Sequence, residues 1–112
     1  MSSDWDEILA FFKKMQSRKS RYAIHFSGIV ELIPKICENL AFKDIVPRTS
    51  LATLYLTLPD KSPKVAVFYE GEQKYSLYIL EGQEIVLEAI QATTEDITQK
   101  LAELVIRLRK EY

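Results

Sequence analysis

Between residues 50 and 90 apolar side chains recur at every second position in four successive segments, each closed by a short connection. Ala52, Leu54, Leu56 and Leu58 make the first series, Val65, Val67 and Tyr69 the second, Tyr75, Leu77 and Ile79 the third, and Ile85, Leu87 and Ala89 the fourth. A period of two puts such residues on one side of a strand and excludes a helix over the same stretch. The connections are Pro59-Asp60-Lys61-Ser62-Pro63, Glu70-Gly71-Glu72-Gln73 and Glu81-Gly82-Gln83. None is long enough for a crossover helix, so the strands are sequential antiparallel neighbours in a meander.

The flanking segments carry the helical signals. Trp5, Ile8, Leu9, Phe12 and Met15 form one apolar stripe behind a capping Asp4, with Glu7 three places on, which predicts a helix over residues 4–18. A closing helix is predicted from Thr93 or Thr94 to about residue 110, burying Ile97, Leu101, Leu104, Val105 and Leu108. Between the first helix and the meander, Tyr22, Ile24 and Phe26 alternate up to Ser27-Gly28 and predict an N-terminal strand over residues 21–27. Residues 29–42 read as a helix, either kinked at Pro34 or beginning near it, and residues 43–49 as a connector.

The expected fold is therefore α+β in two layers. A mainly antiparallel sheet, the four-stranded meander plus an N-terminal strand, packs against N- and C-terminal helices in the order α-β-α-β-β-β-β-α. Residues 1–112 form a single domain, as expected for 112 residues with 47% apolar and 28% charged side chains. No apolar run approaches the roughly 18 residues of a membrane span. Residues 1–20 lack the basic, apolar and small-residue order of a signal peptide, and Cys37 is the only cysteine. A soluble protein of a reducing cytoplasm is the expectation.

Net charge is −1, yet five of the 15 basic residues, Lys13, Lys14, Arg18, Lys19 and Arg21, fall in one nine-residue stretch without an acidic residue. Beside Tyr22 that stretch offers phosphate contacts and a ring to stack on a base. The plainer explanation is the helix dipole: both terminal helices begin acidic and end basic, the last with Arg107, Arg109 and Lys110. Were the two basic ends side by side, their eight charges would merge into one face. Nucleic-acid or phosphate binding is kept as the alternative function.

Catalytic signals are thin. His25 and Cys37 are the only candidates for a thiol–imidazole pair, and nothing in their spacing brings them together. Glu70, Glu72, Glu81 and Glu84 cluster at hairpin turns, where solvated charge is ordinary. No phosphate-binding, serine-hydrolase or zinc-protease motif occurs, so no catalytic residue, metal site or cofactor is assigned. An enzyme is the third reading.

The second side of the meander carries the stronger signal. With Leu54/Leu56, Val65/Val67, Leu77/Ile79 and Ile85/Leu87 toward the helices, strict alternation points Tyr55, Phe68, Tyr78, Leu80, Val86 and Ile90 the other way. A solvated sheet face reads mostly polar, and several large apolar side chains there mark an interface. The expectation is a small interaction module that homodimerises, or binds a protein partner, through this face. The competing expectation is that the middle segment 29–42 covers it from within the chain.

Overall fold

The computed structural model describes residues 3–82 and 85–112. Gln83 and Glu84, read above as part of the last hairpin connection and its carboxylate cluster, lie outside the described residues. Three helices, α1 (Ser3–Gln16), α2 (Ala23–Cys37) and α3 (Ile97–Glu111), accompany five strands. These are β1 (Val46–Ser50), β2 (Thr53–Thr57), β3 (Lys64–Gly71), β4 (Lys74–Glu81) and β5 (Ile85–Thr93). The strands lie in sequence order, every neighbouring pair antiparallel. The two-layer α+β architecture with its meander is thus as expected.

One element differs in kind. Residues 21–27 do not form a strand; they lead into and open α2, and the fifth strand of the sheet is β1, drawn from the supposed connector. The alternation of Tyr22, Ile24 and Phe26 is incidental. Of the three only Phe26 is buried, and it begins a helical stripe continued by Ile29, Leu32, Ile33 and Ile36. Gly28 does not stop a strand but sits in mid-helix under the ring of Tyr69. Pro34 is tolerated inside the last turn, where Glu38 N–H still reaches its carbonyl.

The core lies between the helices and one face of the sheet, hereafter the inner face. Leu54, Leu56, Val65, Val67, Leu77 and Ile79 are fully buried there. Phe12 of α1 and Leu101, Leu104, Val105 and Leu108 of α3 join the same cluster as the α2 stripe. Burial of each such side chain contributes roughly 1.5–3 kcal/mol. Glycine and local hydrogen bonds fix the corners. Thr93 and Asp96 close the turn ahead of α3 reciprocally, the Thr93 N–H donating to Asp96 Oδ1 at 2.6 Å and the Asp96 N–H to Thr93 Oγ1 at 3.4 Å.

β2 pairs with only the first half of β3, through Leu54–Val67, Tyr55–Ala66 and Leu56–Val65. Beyond that point the N-terminal end of α2 takes the place of a neighbouring strand. His25 Nδ1 lies 2.7 Å from the Tyr69 carbonyl, so an Nδ1–H tautomer donates to it. The Tyr75 hydroxyl donates to the Gly28 carbonyl at 2.8 Å, and burial, with Tyr69 and Glu31 nearby, pushes that phenol up to about 12.

Candidate interaction surface

Alternation from the buried inner residues puts Tyr55, Ala66, Phe68, Ser76, Tyr78 and Leu80 on the outer face. Ala66 is only 2% exposed, because larger neighbours stand around it. Tyr55, Phe68, Tyr78, Leu80 and Val86 wall a depression of about 260 Å³ with Ala66 at its floor and Thr53 at its rim. Tyr55, Tyr78, Leu80 and Val86 take no part in the core between helices and sheet. Val86 is 53% exposed. The middle segment does not cover this face; α2 packs on α1 and, through Gly28, on the inner side of β3 and β4.

Five of the six expected surface residues therefore surround one depression. Ile90 is placed differently. β4 and β5 pair Leu80 with Val86 and Ile79 with Glu88, skipping Leu87, so the alternation of β5 reverses at a bulge. Ile90 consequently sits opposite the buried Leu77 and packs against the core. The same reversal turns Glu88 inward, where its carboxylate meets Arg107 of α3 at 2.8 Å.

Polar groups frame the outer face. Lys64, at the start of β3, holds its ammonium 4.7 Å from the Tyr55 ring centroid, a cation–π arrangement. At the far end of the same strand Glu70 accepts a hydrogen bond from Ser76 Oγ at 2.7 Å. His25 comes round the uncovered edge of β3 and stacks on Phe68, centroids 4.9 Å apart and planes at 27°. Sequence reasoning missed that contact, which depends on α2 docking beside β3.

The basic stretch occupies the end of the molecule near the β3–β4 turn, since Ile24, just beyond it, lies against Gly71. Lys13, Lys14, Arg18, Lys19 and Arg21 are all exposed. The basic end of α3 is at the opposite end: Lys61 Nζ, in the β2–β3 loop, donates to the Tyr112 carbonyl at 3.0 Å, and Arg109 donates to the Lys43 carbonyl. β3 spans the distance between, roughly 23 Å for eight residues. The two helix ends do not merge into one cationic face.

His25 and Cys37 stand at opposite ends of α2, about 18 Å apart along its axis, and do not form a pair. Cys37 borders a second depression of about 380 Å³ with Trp5, Ile36, Leu40, Phe42 and Ile45. Burial raises its thiol above the ordinary 9.0, which disfavours the thiolate. Among the described residues no three His, Cys, Asp or Glu side chains converge, and no helix is long and apolar enough to cross a membrane. Comparisons with protein-family models, with curated proteins and with solved structures found no match.

Proposed function

We propose that this protein is a small interaction module that works by self-association through the outer face of its sheet. The observation that carries the reading is the ring of Tyr55, Phe68, Tyr78, Leu80 and Val86 around Ala66, on the side of the sheet that bears no helix. Removing such a face from water yields roughly 25 cal/mol per Å² of apolar surface, a gain open only to a partner.

The sheet edges argue for face rather than edge contact. β1 is five residues long and contains Pro47, which has no N–H to offer a new strand. β5 is longer but carries the bulge at Leu87 and the inward charge of Glu88, both devices that oppose edge-to-edge pairing. A single half-buried free thiol also fits a reducing cytoplasm as its compartment. The experiment is a mass measurement by light scattering at tens of micromolar: two chains are expected, and one chain would end this reading.

A nucleic-acid reading retains one supporting observation: the five cations of residues 13–21 are exposed, and neither of the ion pairs among the described residues involves them. A mobility assay at two salt concentrations tests it, retention at low salt and release at high salt being expected.

A further inference from the structure

Resting on that reading of the outer face, we infer that the partner is a second copy of this chain related by a two-fold axis lying between the two sheets and perpendicular to the strands. The strand register sets this geometry. Tyr55, Ala66, Tyr78 and Ala89 stand in one row across β2, β3, β4 and β5, large and small by turns. The next outer row, two residues along each strand, is Thr53, Phe68, Ser76 and Gln91, with its largest side chain on β3. Thr53 belongs to it because it lies one step beyond the Leu54–Val67 pair.

The two rows form a checkerboard. An axis perpendicular to the strands and midway between the rows lays each row on the other row of the second copy, strand by strand. Tyr55 then faces Thr53, Phe68 faces Ala66, and Tyr78 faces Ser76, so every large side chain meets a small one. Phe68 enters the depression whose floor is Ala66. The same operation brings Lys64 opposite Glu70, three residues to either side of Val67 on β3.

An axis parallel to the strands and midway between β3 and β4 also sets large against small but puts Lys64 opposite Leu80, leaving its charge unpaired. One lying over β3 fails on the rows themselves. It sets Phe68 on Phe68, Ala66 on Ala66, Lys64 on Lys64 and Glu70 on Glu70, leaving steric conflict, a void and two like-charge contacts. Isologous two-fold contact of the first kind is self-complementary in both shape and charge. Sheets packed at about 10 Å interdigitate side chains in this manner. Four strands about 4.8 Å apart, over some seven residues of about 3.3 Å, give a footprint of roughly 450 Å² per copy. At about 900 Å² in total that is below the range of stable specific interfaces and within that of weak, transient ones, so a dimer of micromolar strength is expected.

The test is a knob-and-hole exchange, with dissociation constants from sedimentation of the full chain and far-UV circular dichroism to confirm folding. Ala66→Phe sets two large rings against each other, and Phe68→Ala leaves two small residues facing; each weakens the dimer by at least about tenfold. The double variant restores large against small and returns the constant to within about threefold of the original. A double variant weaker than either single one overturns the axis while a dimeric wild type preserves the interaction reading; singles without effect place the contact elsewhere and overturn both. A monomeric wild type also ends both. Lys64→Glu with Glu70→Lys repeats the exchange in charge with every ring residue kept, although the Lys64–Tyr55 contact is given up in the single and the double variant alike: recovery of the double over either single at low salt supports the axis, and no recovery counts against it.

Discussion

The ring of Tyr69 lies so close over Gly28 that a Cβ built on the glycine meets its Cγ at 2.2 Å. Glycine in mid-helix ordinarily costs about 0.5–1 kcal/mol against alanine, so the exchange should stabilise an unconstrained helix. Here the sign reverses. Gly28→Ala must push the Tyr69 ring or α2 outward, disturbing the His25–Tyr69 and Tyr75–Gly28 hydrogen bonds with it. A loss of about 2–3 kcal/mol is expected in urea denaturation; an unchanged midpoint would show that the helix is not seated on β3 through this contact.

Tyr75 supplies the other half of that seat. Its hydroxyl is buried and bonded to the helix backbone, so Tyr75→Phe should cost about 1 kcal/mol. A pH effect follows with a definite sign. The phenol is favoured neutral in the fold, so its contribution is complete below the ordinary 10.0 and disappears as the pH rises toward about 12. Between thermal melts at about pH 9, below that window, and about pH 11, inside it, the wild type should lose more stability than Tyr75→Phe. Equal losses would place the alkaline sensitivity elsewhere.

The β3–β4 corner is built from residues poorly suited to it. Glu72 and Gln73 have φ of 52° and 65°, between the paired Gly71 and Lys74, the pattern of a type I′ turn. Left-handed backbone disfavours both side chains, whereas Asn-Gly is suited to it. Glu72→Asn with Gln73→Gly is expected to raise the melting temperature, by roughly 1 kcal/mol in stability. A fall would mean that the Glu72 or Gln73 side chain makes a contact worth more than the strain.

The meander was legible because its signal is doubly local: period-two alternation and glycine-bearing connections specify the same pairing. Three features escaped for identifiable reasons. Tyr22, Ile24 and Phe26 mimic a strand for five residues, while the helical stripe that overrides them runs on to Ile36. β1 offers one branched apolar residue and a proline, too little pattern for a strand that relies on β2 and α1 to hold it. The bulge at Leu87 leaves no mark in the sequence, yet it sends Ile90 to the core while Val86 keeps its place on the outer face. The aromatic side of β2–β4 was readable from alternation alone. Its closure at one end by His25 was not, since that contact joins residues 43 apart in the chain.

In the turn ahead of α3 an acid-sensitive contact is expected. The Thr93 N–H, and then Lys100, whose ammonium is 3.1 Å from Oδ2, hold the Asp96 carboxyl below its ordinary 3.8. A lowered carboxyl contributes stability above the unfolded value and loses it as pH falls through the folded one. Asp96→Asn should therefore be less stable than the wild type near neutrality, with the gap closing as pH drops from about 5 through 3.8 and below. A gap that persists in acid would assign the effect to the geometry of the turn and not to its charge.

Phe68 and Tyr78 separate association from folding. Both rings stand on the outer face, but only Phe68 also stacks on His25 at the edge where α2 replaces a strand. Glutamate at either position puts a charge where the second copy would sit, and desolvating an unpaired carboxylate is far more costly than the apolar contact it replaces. Tyr78→Glu is thus expected to give a monomer by light scattering whose melting temperature stays within a few degrees of that of the wild-type monomer at high dilution, since Tyr78 takes no part in the core. Phe68→Glu is expected to give a monomer with a lower melting temperature, because it also loosens the N-terminal turn of α2. Two variants that remain dimeric would remove the outer face from consideration. Two that are equally destabilised would show that the rings serve the fold before they serve any partner.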